Sequence, residues 1–125
     1  MAVIQKELEL VGSKARRRVK TLFDSGATYS CVKKDLAREL EILIPLAEPL
    51  VFETAEQGKT LEAREAVRLD FYIDGYRFSD EFMVLPGLSE EVIIGAKTTQ
   101  AWRLKLDFEK EEVIIDPRVT RLRFG

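Results

Sequence analysis

The sequence predicts a mainly β, single-domain protein carrying one or two short helices. Three observations lead there. Charged and apolar residues alternate in several separate stretches, as half-buried strands require. Short turn signals, Gly12-Ser13 and Asp74-Gly75, join those stretches into hairpins. An apolar strand running into a glycine turn and then a helix occurs twice, around residues 22–28 and again around 92–95.

Taken in order, residues 4–11 alternate through Glu7-Leu8-Glu9-Leu10 and form the first strand. Residues 14–23 form the second, polar at its start and apolar towards its end, so the hairpin delivers Asp24 to the middle of the molecule. Ser30 is expected to cap a short helix with Val32, Leu36 and Leu40 on its apolar face, Ala37 beside them and Pro45 beyond its end. Cys31, in the first turn of that helix, reads as a small buried hydrophobe. Residues 50–55 and 60–66 flank Glu56-Gln57-Gly58-Lys59, a hairpin with its glycine at the tip. Residues 67–73 alternate cleanly, turn at Asp74-Gly75 and return through Tyr76, Phe78, Phe82 and Val84, whose rings belong to the core. Pro86-Gly87 breaks the chain before Val92-Ile93-Ile94-Gly95. Residues 96–103 suit a helix, and 104–108 and 113–115 return as strands about a turn at 109–112. Residues 119–124 alternate like a strand that has no partner left in the domain.

Composition narrows the chemistry. With 125 residues, the chain is long enough for one domain with a true core and too short for two. A net charge of -2 argues against a general nucleic-acid binder, and no apolar run is long enough to span a bilayer. The cluster Lys14-Ala15-Arg16-Arg17-Arg18 reads as a solvated hairpin end. The opening residues are too polar for the apolar core of a signal peptide, so a cytoplasmic location is expected. There is no histidine and one cysteine, which removes Ser-His-Asp triads, Cys-His dyads, ordinary zinc sites and an internal disulfide. Any hydrolysis must then run on carboxylates, and no acid-rich loop suggests a metal; no cofactor is expected.

The densest stretch is Leu22-Phe23-Asp24-Ser25-Gly26-Ala27-Thr28. Its apolar strand ends on an acid, and Gly26 is expected to turn with φ > 0 and leave N–H groups aimed at the Asp24 carboxylate. Asp24-Ser25-Gly26-Ala27 resembles the active-site motif of retropepsin-like aspartic proteases, and Ile93-Ile94-Gly95 before a helix resembles the second signature of that family. The resemblance covers roughly residues 7–116. It implies a closed, mostly antiparallel β-barrel working as a homodimeric aspartic endopeptidase, with Asp24 catalytic and its partner carboxylate supplied by Asp24 of a second copy.

Ser25 would then brace the two loops across the dimer, Gly26 would hold the carboxylate, and Ala27 with Thr28 would support the floor. Residues 56–59 would form the flap over a polypeptide bound as an extended strand, and part of the tail, 117–125, would touch the other subunit. Two rival readings stand beside this one. One is a catalytically silent module that keeps the fold for binding or dimerisation, favoured by the charged, glycine-poor flap. The other is a small β-domain that binds nucleic acid through residues 14–18.

Overall fold

Alternation fixes the first hairpin. In the computed structural model, which describes residues 3–54 and 58–125, β1 (Val3–Val11) buries Ile4, Leu8 and Leu10. β2 (Arg16–Asp24) buries Val19, Thr21 and Phe23. These two strands pair antiparallel from Val3 opposite Asp24 to Val11 opposite Arg16. Period two therefore puts Leu22 and Asp24 on the face opposite Phe23, away from the barrel interior.

The remaining elements are β3 (Cys31–Lys33), α1 (Lys34–Leu40), β4 (Ile44–Glu53), β5 (Thr60–Ile73), β6 (Tyr76–Leu85) and β7 (Val92–Ile94). After them come α2 (Ala96–Ala101), β8 (Lys105–Asp107), β9 (Glu112–Ile114) and a 3-10 turn at Pro117–Thr120. The main sheet runs β1-β2-β7-β3-β6-β5-β4, and a further β1–β5 pairing closes the first six of these strands into a barrel with β4 at the edge. The barrel is mostly antiparallel, but β2 pairs with β7 and β3 with β6 in parallel. Those pairings arise because β7 is threaded between β2 and β3. The loop after Asp24 must therefore cross over the end of β7.

Burial follows the pattern of the sequence. Val67, Leu69, Phe71 and Ile73 of β5 meet Phe78, Phe82 and Val84 of β6 in the interior. Phe71 stacks on Phe78 at 5.4 Å and meets Phe82 edge-on at 6.0 Å, while Trp102 caps Phe78 at 5.3 Å. These rings are packing, as expected. The β5–β6 turn places Asp74 at φ 50° and Gly75 at φ 82°, the pair of left-handed residues that a two-residue hairpin demands.

Several expectations are corrected. Residues 31–33 are a strand rather than the start of a helix, because they pair with both β6 and β7, and α1 begins only at Lys34. Ser30 therefore caps nothing; its hydroxyl is buried in a separate network described below. Pro45 lies inside β4, tolerated because this edge strand shifts register between Pro45 and Leu50. Residues 60–73 form one continuous 14-residue strand. The tail makes no strand: residues 117–120 form a 3-10 turn in which Asp116 accepts the Arg118 N–H, and Leu122 and Phe124 are exposed.

The basic cluster is dispersed among acids. Arg16 lies 3.2 Å from Glu9, Arg17 2.7 Å from Glu39 and Arg18 4.0 Å from Glu7, while Lys14 donates to the Arg38 carbonyl. The turn that carries it sits against the end of α1. Lys14 N–H donates to the Leu40 carbonyl, and the Ser13 hydroxyl and N–H both donate to Glu41, which holds that carboxyl below its ordinary range.

Candidate active site

The Asp24 loop begins where β2 leaves the sheet. Asp24 Oδ1 accepts the Gly26 N–H at 2.9 Å, and the Ala27 N–H closes the turn on the Asp24 carbonyl at 3.2 Å. Gly26 thus supplies its amide as expected, yet without a positive φ; among the described residues the glycines in that region are Gly58, Gly75, Gly87 and Gly125. The tightness of this turn comes from the side-chain acceptor, not from a left-handed residue.

Beneath the loop lies the junction of β7 and α2. Phe23 stands beside Ile94 and Leu22 beside Ile93, so the two resembling segments are neighbours in the sheet. Ala96 and Lys97 donate their amides to the carbonyls of Ala27 and Thr28, at 2.7 and 3.0 Å. Gly95 is required here by space. A Cβ at that position would lie 2.5 Å from the Tyr29 carbonyl oxygen and 2.8 Å from that of Ala27.

Asp24 opens onto a cleft of about 780 Å³. Leu22, Gly26, Ala27 and Thr28 line its floor side, Cys31, Leu85 and Ile93 its back, and Leu50, Phe52, Thr54, Lys59 and Leu61 come from the β4–β5 hairpin opposite. Apolar side chains dominate; among the described residues its other acids are Glu53 and Glu90. Tyr29 ties the two sides together, meeting Phe52 edge-on at 5.8 Å while Lys97 lies 4.6 Å over its ring. Cys31 is buried at the cleft wall, and burial pushes its thiol up to about 12, so it is a protonated hydrophobe at neutral pH.

The expected residues are thus partly gathered. Asp24, Gly26, Ala27, Thr28 and Ile93 converge on the cleft, Ser25 lies in the same turn, and Ile94 is buried in the core. Of the residues expected to form a flap, Gly58 takes φ 77° at the hairpin turn and Lys59 reaches the cleft, its carbonyl accepting from both the amide and hydroxyl of Thr54. Glu56 and Gln57 lie outside the described residues. Tyr29, Phe52, Leu85 and Leu88 were missed by sequence reasoning because nothing local marks them; the threading of β7 and the fold-back of the hairpin bring them in. Among the described residues no group of three or more potential ligands is set to hold a metal ion, and no helix is long and apolar enough to cross a membrane.

Comparison with known proteins agrees with this arrangement. The family model described as the Ty3 transposon peptidase matches residues 5–106, which span both the Asp24 loop and the Gly95 junction. The chain belongs to this retropepsin-like family. Among solved structures, this retropepsin-like chain is similar to the retroviral protease-like domain of Ddi1 from Leishmania major. That match has 17% identity and a TM-score of 0.63, and covers 93% of this chain and 90% of the other. The simian foamy virus (mac) protease is also matched, at 20% identity and a TM-score of 0.45, over 76% of this chain and 92% of the other. The family match and the likeness to the Leishmania major domain together show the retropepsin-like barrel.

Proposed function

We propose that this peptidase-family chain is an aspartic endopeptidase whose catalyst is a pair of Asp24 carboxylates, one from each copy of a homodimer. The observation that carries the reading is Asp24 itself, held by the Gly26 amide at the foot of a largely apolar cleft and turned away from the barrel core. Two carboxylates brought within hydrogen-bond reach cannot both ionise, so they share one proton. The ionised member takes a proton from a water lodged between them, and the protonated member donates to the peptide carbonyl oxygen. The resulting tetrahedral intermediate collapses as the leaving amine is protonated. A two-fold axis beside the Asp24 loop supplies the second carboxylate.

The cleft favours an extended peptide. Its walls are a β-hairpin and strand ends, so main-chain hydrogen bonds can hold the substrate while alternate side chains enter apolar pockets. The β4–β5 hairpin, placed across the cleft from Asp24, acts as the flap. Cleavage of an unbiased peptide mixture by the wild type and by Asp24→Asn, read by mass spectrometry from about pH 4 to pH 7, tests the reading over the range where a coupled pair holds one proton. Cuts made by the wild type and absent from the Asn variant support it. An intact mixture with both proteins overturns it in favour of a binding scaffold.

A further inference from the structure

A buried hydrogen-bond chain runs behind the Asp24 loop, built from three widely separated parts of the sequence. The Gly95 N–H donates to Ser30 Oγ at 3.0 Å, Ser30 Oγ lies 2.6 Å from Thr98 Oγ1, and the Thr98 hydroxyl donates to Asp80 Oδ2 at 2.6 Å. Ser30 and Thr98 are only 2% and 1% exposed and take no part in the cleft wall. The polarity of the chain is forced. A carboxylate oxygen only accepts, so Thr98 must give its single proton to Asp80. Thr98 Oγ1 must then accept from Ser30, and Ser30, its own proton committed, is left to accept from Gly95.

We propose that Asp80, Thr98 and Ser30 are positioning residues for Asp24. Gly95, Ala96 and Lys97 present three consecutive amides to the active-site loop, donating to Ser30 Oγ, the Ala27 carbonyl and the Thr28 carbonyl. Two of those acceptors are backbone and need no orienting. The third is a hydroxyl that can rotate, and only the Thr98–Asp80 pair fixes which way its lone pair points. The anchor is itself firm: Asp80 Oδ1 accepts the Glu81 N–H at 2.7 Å, which fixes the carboxylate on β6, and Trp102 Nε1 at the end of α2 donates to the Ser79 carbonyl at 2.9 Å, a second tie between α2 and β6 beside the relay. A network fully satisfied in this way specifies one geometry, whereas a half-satisfied one does not. Asp24 is set by the same loop, and a reacting carboxylate misplaced by about 1 Å loses on the order of a hundredfold in rate.

This inference rests on the peptidase reading, and its test separates the two. Thr98→Val keeps the shape and removes the relay's middle hydroxyl; Ser30→Ala removes its neighbour and serves if the first variant fails to fold. Each is expected to lower kcat by about ten- to a hundredfold with KM within about twofold, because the cleft walls are untouched. Thr98→Ser restores kcat to within about threefold of the wild type, since the donor and acceptor return. Thr21→Val, an equally buried threonine outside the relay, keeps the wild-type kcat. Wild-type kcat in both relay variants, or no rescue by Thr98→Ser, overturns the inference.

If the wild type cleaves nothing, the peptidase reading fails and NMR still decides the positioning claim. Thr98→Val should speed exchange of the Gly95, Ala96 and Lys97 amides by about tenfold or more and move the Asp24 carboxyl ¹³C signal, with Thr98→Ser restoring both. Unchanged protection and an unchanged Asp24 signal overturn it.

Discussion

Replacing Gly95 by alanine sets two physical effects of opposite sign against each other. At φ −96° and ψ −177° the backbone there is ordinary extended chain, so alanine fits the dihedrals and, by stiffening the unfolded chain, should stabilise by about 0.4–1 kcal/mol. Space says otherwise. The new Cβ would meet the Tyr29 carbonyl oxygen at 2.5 Å, its carbon at 2.7 Å and the Ala27 oxygen at 2.8 Å, all backbone atoms with no side-chain freedom to yield. Reaching even the 3.0 Å that real Cβ atoms respect requires the junction to move away from the loop by about half an ångström.

That movement stretches the Ala96–Ala27 and Lys97–Thr28 hydrogen bonds, now 2.7 and 3.0 Å, towards the limit of useful geometry. Overpacking at about 1–3 kcal/mol, with two weakened hydrogen bonds at about 1 kcal/mol each, outweighs the entropic gain and leaves a net loss of about 2–4 kcal/mol. In equilibrium urea unfolding this is a fall in midpoint of roughly 1–3 M at an ordinary slope. A midpoint equal to or above that of the wild type would refute the close-packing argument, and with it the claim that the crossing of the loop over β7 is what demands glycine.

Other consequences are open to direct measurement. Thr21→Val removes a buried hydroxyl that has no hydrogen-bond partner among the described residues, and should raise stability by about 1 kcal/mol in the same urea assay. Asp70 is nearly buried on β5, with Arg77 Nη2 at 2.8 Å and Arg68 Nη2 at 2.9 Å, the latter without the alignment of a hydrogen bond. Asp70→Asn should cost about 1–2 kcal/mol, less than a fully buried pair because both guanidinium groups are largely exposed. Cys31, its thiol raised to about 12 by burial, should alkylate at pH 8 at least roughly a hundredfold more slowly in the native protein than after unfolding. The same shift contributes stability that is fully present below the thiol's unfolded pKa of about 8.5 and is lost progressively as pH rises from there towards 12.

What the sequence could tell was local. The hairpins were readable because alternation and the Asp74-Gly75 turn act between neighbours, and Asp24 was readable because an acid followed by glycine at the end of an apolar strand needs no distant partner to be noticed. The threading of β7 between β2 and β3 was not readable, since no residue in 92–94 states which strand it will join. That one crossing explains the misreadings nearby. Residues 31–33 look helical in isolation but are claimed by two sheet neighbours, and Ser30, which suits a cap by type, is needed instead by Gly95 and Thr98. The tail alternates, yet Pro117 and the Asp116–Arg118 contact favour a 3-10 turn, and Asp116 is held at about 2 chiefly by its hydrogen bonds from Arg118.

The central claim is that two Asp24 carboxylates from separate chains make one catalyst, and mixing tests it most directly. Wild type is titrated with Asp24→Asn at constant total protein, after time for subunits to exchange, and cleavage of one reporter peptide is followed. A shared site predicts activity that falls as the square of the wild-type fraction, so an equal mixture retains about a quarter of the full rate. A rate of about one half at equal mixing, the linear result, would mean that each chain works alone and would contradict the account.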